Sequence, residues 1–140
     1  MHTETGAAVE DFLDFFLKRG LPADRLIFCH VDKRPDIGLH RALASAGVLL
    51  EYDTFVRPKY QPEINAWPLV EEMIASDLSH RVALATDLAL TNQWPYAGGS
   101  PGPISFITVV KNHLQNAVVA PELIAALMGG NISERLAVQI

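Results

Sequence analysis

The sequence predicts an α/β domain built on a parallel sheet. Short, continuous apolar runs alternate with segments of helical periodicity along the 140 residues. Strands that alternate with helices of about 10–15 residues are typical of βα units, whose strands run parallel. The apolar runs are rich in Val, Ile and Leu, as expected of strands covered on both faces. These patterns fit an open sheet as well as a barrel.

The composition predicts one globular domain. A hydrophobic fraction of 49% excludes a disordered chain, and 140 residues are enough for one core. The net charge of −5, without a basic run, disfavours binding to nucleic acid or to an anionic membrane surface. No apolar stretch approaches the roughly 20 residues that span a bilayer. A single cysteine and an N-terminus without a signal-peptide pattern predict a cytoplasmic protein.

Two helices and two strands are predicted in the first half of the chain. The first helix ends before Gly20, and a strand follows over residues 26–30. The second helix begins after the N-cap Asp36 and ends at Gly47, and the next strand covers residues 48–53. The apolar face of the first helix consists of Val9, Phe12, Leu13, Phe16 and Leu17.

The second half is predicted to contain one more strand and several helices. The third helix begins near Trp67-Pro68, since proline is favoured in the first helical turn, and a strand covers residues 82–87. Polar loops precede this helix and follow this strand, over residues 56–66 and 91–103. The remaining elements are helices over 104–116 and 121–128, a break at Gly129-Gly130, and a last turn over 131–138.

Polar residues with metal-binding chemistry end three of the predicted strands. His2 and His30 are 28 positions apart, and His30 and Asp87 are 57 apart, so one βα unit separates the first pair and two separate the second. The carboxyl ends of parallel strands bind ligands in open sheets and in barrels alike. Two imidazoles and a carboxylate suit zinc, which lowers the pKa of a bound water to about 7. Asp32 and Asp53 would orient these ligands from behind.

Side-chain alternation predicts the orientation of the strands. If His30 points into the interior, Phe28 and Leu26 do so too, while Cys29 and Ile27 face the helices. Cys29 would then be a small core residue. A lone histidine at a strand end is more often a packing residue than a ligand, so the metal interpretation depends on the βα spacing. Surface positions are predicted for the other histidines, His40, His80 and His113.

Five segments carry a resemblance to a known family: His2–Gly6, Phe28–Asp32, Glu51–Phe55, Ala85–Asp87 and Asn131–Leu136. The first four resemble the motifs at the fifth to eighth strands of the phosphotriesterase family, metal-dependent hydrolases of the amidohydrolase superfamily. The fifth is similar to the closing Asn-Pro-x-Arg-Leu element of that family, with Ile132 in place of proline. The order and spacing of these segments match the C-terminal half of such a protein.

The resemblance implies a partial TIM (β/α)8 barrel, with residues 1–140 as one C-terminal half-barrel domain that carries strands five to eight. It implies a site for two divalent metals, usually zinc. His2 and His30 would bind the more exposed metal, and Asp87 would bind the more buried metal and act as a proton shuttle. Substrates would be small-molecule phosphotriesters, lactones or related esters. Their pocket would be shaped by the loops after strands seven and eight, with Arg57, Tyr60, Trp94 and Tyr96 as candidate contacts.

Part of the family pattern has no counterpart in these 140 residues. The His-x-His pair of the first strand and the bridging Lys or Glu of the fourth are missing. Because a full barrel needs about 250 residues, a half-barrel would expose Phe28 and leave open sheet edges that favour self-association. An alternative is a non-catalytic α/β fragment that needs a partner half. A weaker alternative is a flavodoxin-like nucleotide-binding domain. Such a domain would need a Gly-rich phosphate loop after a strand, and the sequence has none.

Overall fold

A three-stranded parallel sheet forms the centre of the computed structural model, which describes residues 1–137. Strands β1 (Ile27–Phe28), β2 (Leu49–Tyr52) and β3 (Val82–Leu84) lie in this order, with Ile27 opposite Leu49 and Leu50 opposite Val82. This confirms the predicted parallel α/β arrangement. The strands are shorter than predicted at their carboxyl ends, where the backbone turns away from the sheet.

The predicted helices are confirmed. In the first half, Asp36 Oδ1 accepts the Leu39 N–H at 3.1 Å, and Gly47 ends the helix with a positive φ of 112°. In the second half, Gly129 departs from helical geometry and bends the C-terminal helical segment. The predicted last turn ends at Val138, which lies outside the described residues. The α-helices are α1 (Val9–Leu17), α2 (Ile37–Ala46), α3 (Ala66–Ala75), α4 (Asn112–Asn116), α5 (Pro121–Ala125) and α6 (Asn131–Leu136).

Residues 2–6 form a turn beside the sheet rather than a strand. Only His2 pairs with Cys29, as a single parallel bridge. The Thr3 carbonyl accepts the N–H groups of Thr5 and Gly6, at 2.7 and 3.1 Å, and so bends the chain directly after the bridge. The segment nevertheless lies next to β1, as its predicted place in the strand order requires.

The predicted orientation of the strand residues is wrong. Phe28, Leu50 and Leu84 belong to the core between sheet and helices, and Phe28 is fully buried. Cys29 and Glu51 lie on the opposite face and are partly exposed. The cause is His30, whose φ of 66° interrupts the alternation of the strand. Counting back from His30 therefore assigned each β1 side chain to the wrong face.

The histidine predictions are only partly confirmed. His80 is exposed, as predicted. His40 is completely buried instead, because both ring nitrogens find partners, the Tyr52 hydroxyl and the Arg34 carbonyl. His113 is half-buried and stacks on the indole of Trp67, with ring centroids 3.6 Å apart.

Helix α6 closes the amino end of the sheet through polar contacts. Asn131 is buried, and its Nδ2 donates to the carbonyls of Ser79 and Val82 at 2.8 and 2.7 Å. The Arg135 guanidinium donates to backbone carbonyls of Asp24, Leu26 and Gly47. Residues 131–136, singled out for their sequence, thus tie the end of the chain to the start of the strands. Within residues 1–137, no helix has the length and apolar character needed to cross a membrane.

Candidate metal centre

Three residues with ligand chemistry meet at the carboxyl end of the sheet. His30, Asp53 and Asp87, here called the candidate cluster, each offer one ligand atom within 4.8 Å of the others. His30 and Asp87 both have positive φ, 66° and 42°, a conformation that Asp and His adopt more readily than most residues other than glycine. The strands β1, β2 and β3 each supply one member, just beyond their last residue.

The candidate cluster contains buried polar atoms without hydrogen bonds. His30 Nδ1 and Asp53 Oδ2 are 2.5 Å apart, but they are not aligned for a hydrogen bond. Among residues 1–137, no group donates to either oxygen of Asp53, whose exposed fraction is 1%. Buried polar atoms are nearly always paired. The donor set is an imidazole and two carboxylates, so a bound divalent cation fits these atoms.

The electrostatics of the candidate cluster also fit a cation. Burial raises the pKa of Asp53 to about 8, and the neighbouring carboxylates of Asp32, Glu51 and Asp87 add to this shift. Burial and the nearby Lys33 ammonium lower the pKa of His30. The neutral imidazole is the form that binds metal. A divalent cation would offset the repulsion among the carboxylates.

Asp32 is placed to orient Asp53. Its buried Oδ2 accepts hydrogen bonds from the Asp53 N–H at 3.0 Å, the Thr54 N–H at 2.9 Å and the Thr54 hydroxyl at 2.6 Å. Burial raises the pKa of Asp32, while the hydrogen bonds from Thr54 oppose that shift. Asp32 therefore fixes the backbone from which the Asp53 side chain extends, and its role in supporting a metal ligand stays a prediction. Asp53 itself, predicted for the same role, lies within the candidate cluster.

His2 lies at the rim of the candidate cluster. Its Nδ1 is 2.7 Å from His30 Nε2, and its Nε2 is 2.6 Å from Glu4 Oε2. The side chain is 62% exposed. The structure therefore places the two predicted histidine ligands side by side, with His2 facing solvent. Its assignment as a metal ligand stays a prediction.

Two cations adjoin Asp87 from the loops. Arg57 pairs with the Asp87 carboxylate, and Lys33 Nζ lies 3.9 Å from Asp87 Oδ2. Both cationic side chains are largely buried. The Tyr60 ring lies beside them, its centroid 5.3 Å from Lys33 Nζ and 5.4 Å from Arg57 Cζ. Sequence reasoning found Arg57 and Tyr60 but missed Lys33, although its place three residues after His30 was an available signal.

The aromatic residues of the loop after β3 have different environments. Trp94 Nε1 donates to the Leu88 carbonyl at 3.0 Å, so the indole fastens its own loop. Tyr96 is 86% exposed. Its ring centroid is 6.2 Å from that of Trp94. Their predicted role as substrate contacts stays a prediction.

Cys29 and Glu51 lie together on the face of the sheet opposite the helices. Burial raises the pKa of the Cys29 thiol to about 12, and the hydrogen bond and charge of Glu51 act in the same direction. The thiol therefore stays protonated, which agrees with a non-nucleophilic role. Cys29 was predicted to face the helices, but it lies on the opposite face of the sheet. The alternation of side chains along β1 is interrupted at His30, so counting back from His30 gave the wrong face. The thiol is also a hydrogen-bond partner for the Glu51 side chain on this face of the sheet.

Comparisons with known proteins agree with this arrangement. The sequence pattern of the Phosphotriesterase family matches residues 1–128. No curated protein matches the chain closely enough to count as a relative. Among solved structures, a lactonase from Listeria monocytogenes is similar, with a TM-score of 0.88 and 19% identity. So are a phosphotriesterase homology protein from Escherichia coli, with phosphate in its active site (0.88, 18%), and an amidohydrolase from Mycoplasma synoviae (0.89, 20%).

The matched structures are longer than this chain. The three alignments cover 99%, 95% and 99% of the chain, but only 44%, 46% and 41% of the solved proteins. The chain therefore spans less than half the length of the structures that it matches. At these identities, the likeness establishes a shared fold. The strands and helices of residues 1–137 correspond to part of that larger fold.

Proposed function

The chain belongs to the phosphotriesterase family, and on this premise we propose that it forms the C-terminal half-barrel of a metal-dependent hydrolase. The observation that carries the proposal is the candidate cluster, with unpaired buried atoms at the carboxyl ends of three parallel strands. In a (β/α)8 barrel, that end of the strands is the catalytic end. The domain would comprise residues 1–140.

The proposed metal is zinc, in a site that holds two divalent ions when the barrel is complete. His30, Asp53 and Asp87 would hold metal from this half, with His2 as a further ligand at the rim. Zinc accepts the nitrogen and oxygen donors that these side chains offer. When bound, the metal would supply an activated water and polarise a carbonyl or phosphoryl oxygen. Asp32 would keep Asp53 in place through the backbone.

The residues around the metal would accept the proton of the water and bind the substrate. Asp87, the most accessible carboxylate of the candidate cluster, would accept the proton of the attacking water. Arg57 and Lys33 would bind a negatively charged part of the substrate, since two largely buried cations face one carboxylate. The matched Escherichia coli protein holds phosphate in its active site, which supports an anionic substrate group. Tyr60, Trp94 and Tyr96 would line the remainder of the pocket.

We propose small-molecule esters as the substrates, with lactones first. The similar Listeria monocytogenes structure is a lactonase, and the family name refers to phosphotriesters. Both reactions begin with the attack of a water on a polarised centre, a carbonyl carbon or a phosphorus, so the same proton acceptor would serve either. A substrate that also carries a phosphate or carboxylate group would use Arg57 and Lys33.

Completion of the barrel would involve the face of the sheet that bears Cys29 and Glu51. The helices cover the other face, where Phe28 and Leu50 are fully buried. In the described part of the chain, residues 1–3 lie along β1 through the bridge of His2 to Cys29, so further strands would meet this segment on one side and the edge of β3 on the other. Strands from a complementary half would pair there. Without them, the same edges favour self-association.

Metal binding and turnover by the purified chain test this proposal. Zinc stoichiometry and hydrolysis of a lactone and an aryl phosphotriester are measured with and without an added N-terminal half-barrel of a similar enzyme. We expect Asp87→Asn to abolish turnover in the completed barrel. The matched control is Asp77→Asn, which changes an exposed carboxylate. If zinc binds equally well to wild type and to a His30→Ala, Asp53→Asn double variant, the proposed site is wrong.

The second candidate function is a non-catalytic fragment that binds a partner half. It is favoured by the short length of the chain relative to the matched structures. The same experiment separates the two. A fragment of this kind would associate with the added half-barrel but show no turnover and no zinc bound to the candidate cluster.

A further inference from the structure

His40 is a fully buried histidine that none of the proposed chemistry uses. It lies in α2, ten residues after His30, and its ring has two polar partners. Its Nδ1 is 2.6 Å from the Tyr52 hydroxyl, and its Nε2 is 2.9 Å from the Arg34 carbonyl oxygen. A helix position that faces the core is usually occupied by an apolar residue. A buried imidazole with two satisfied partners therefore calls for a reason.

The partners of His40 define its tautomer. A carbonyl oxygen only accepts, so Nε2 must carry the proton that is donated to Arg34. Burial lowers the pKa of His40, which keeps the ring neutral. Nδ1 is then an acceptor, and the Tyr52 hydroxyl donates a hydrogen bond to it. The ring is thus a rigid bridge between one backbone carbonyl and one side-chain hydroxyl.

Both ends of this bridge adjoin the candidate cluster. Tyr52 is the last residue of β2 and directly precedes Asp53. Arg34 ends the turn of residues 31–34, which begins directly after His30 and carries Asp32 and Lys33. Asp32 already joins this turn to the backbone after β2. His40 supplies a second, independent fastening between the same two segments.

Arg34 extends the connection to the segment that carries His2. Its guanidinium donates to the Gly6 carbonyl at 3.4 Å and to the two carboxylate oxygens of Glu10 at 3.0 and 2.9 Å. A Cβ at Gly6 would lie 2.9 Å from the Cβ of Arg34, so the two segments are in close contact. The 31–34 turn therefore contacts the segments that supply His2, His30 and Asp53.

We propose that His40 is a positioning residue, which sets the separation of His30 and Asp53 by holding the 31–34 turn against Tyr52. The proposal rests on the proposed metal site, since its value to the protein is the spacing of metal ligands. Residues that hold ligands from behind typically change metal affinity by about 10–100-fold when removed. Tyr52→Phe removes only the hydroxyl and keeps the ring, so it is the mildest way to break the bridge.

The test uses the whole chain labelled with ¹⁵N-histidine and freed of metal by a chelator. The ring nitrogens of His30 are compared by NMR in wild type, Tyr52→Phe and His40→Gln. We expect the His30 resonances to shift in both variants, while those of the exposed His80 do not. His113→Gln is the matched control, because His113 packs on Trp67 and is expected to leave His30 unchanged.

Titration with Co²⁺ alone provides the second measurement. We expect Tyr52→Phe to weaken Co²⁺ binding about tenfold and to alter the visible absorption band, with His113→Gln unchanged. If His30 resonances and Co²⁺ affinity match wild type in both bridge variants, while only thermal stability falls, His40 is merely structural and the proposal is overturned. If wild type binds no Co²⁺ but the His30 resonances shift, the metal proposal fails and the positioning role stands.

Discussion

The two ends of the sheet differ in how completely their buried polar groups are hydrogen-bonded. At the amino end, Asn131 and Arg135 donate to carbonyls at the starts of the strands and in the turns before them. At the carboxyl end, Asp53 and His30 have buried atoms without hydrogen-bond partners in the described chain. Paired buried groups support stability, whereas unpaired ones lower it. The comparison indicates that the amino end holds the fold, and it supports the proposal that the carboxyl end binds a ligand.

Charge follows the same division. Three carboxylates, those of Asp32, Glu51 and Asp87, lie near Asp53 at the carboxyl end, and burial together with these charges raises the pKa of Asp53 to about 8. At the amino end, burial and Arg81 lower the pKa of Arg135, but its donors still reach three carbonyls. One end thus tolerates electrostatic repulsion that a cation would relieve. The other uses its charge to complete backbone hydrogen bonds.

The largest effect is expected from Asn131→Ala at the amino end. The change leaves the carbonyls of Ser79 and Val82 without their donor, and it should lower the free energy of unfolding by about 2–3 kcal/mol. Urea unfolding at pH 7 measures it. The control is Asn112→Ala, because the Asn112 amide bonds to the Thr108 carbonyl at an exposed site. If Asn131→Ala lowers the free energy of unfolding no more than Asn112→Ala does, the contacts of Asn131 do not stabilise the fold as proposed.

The pH dependence of the free energy of unfolding tests whether the His40 bridge stabilises the fold. Because burial lowers the folded pKa of His40, its neutral form stabilises the fold above the unfolded pKa, and this contribution is lost as the pH falls through the folded value. Below about pH 6.5, wild type should lose up to about 1.4 kcal/mol of unfolding free energy per pH unit more than His40→Gln. Urea unfolding between pH 8 and 5 measures both slopes. Parallel slopes would contradict the buried neutral ring.

Asp53→Asn is expected to act in the opposite direction from Asn131→Ala. The folded pKa of Asp53 is raised to about 8, so the stability that its protonated form provides is lost as the pH rises through that value. In urea unfolding at pH 9 with chelator present, the neutral amide should raise the free energy of unfolding by about 1 kcal/mol. In a separate zinc titration without chelator, the variant should bind no zinc at the candidate cluster. Asp14→Asn, at an exposed carboxylate, is the control. A destabilised Asp53→Asn would mean that the carboxyl end is structural as well.

Local chemistry explains which parts of the fold were predictable. Asp36 and Gly47 bound α2 through contacts within a few residues, so the sequence defines that helix. The polar strand ends of His30 and Asp87 were predicted for the same reason, since an apolar run stops abruptly at each. These features depend on neighbours in the chain, and the structure confirms where they lie.

The remaining errors come from one unexpected backbone conformation and from contacts between distant segments. The φ of His30 reverses the orientation inferred for β1, and no pattern in residues 26–30 signals it. His40 is buried because it meets Tyr52, twelve residues away, and Lys33 meets Asp87 across two βα units. The inclusion of Asp53 in the candidate cluster likewise depends on three strands converging. Periodicity assigns a residue to an element, but not to the partners that the sheet brings to it.

Tyr96→Ala should have the smallest effect on stability, below about 0.5 kcal/mol, because the ring is 86% exposed. Trp94→Phe is the matched comparison, since it loses the hydrogen bond to the Leu88 carbonyl and should cost about 1 kcal/mol. Urea unfolding measures both. If Tyr96 contacts substrate, the KM of the completed barrel for a lactone rises in Tyr96→Ala while stability stays constant. An unchanged KM would assign Tyr96 to the loop surface, and the carboxyl end would then bind substrate through Arg57, Lys33 and Tyr60.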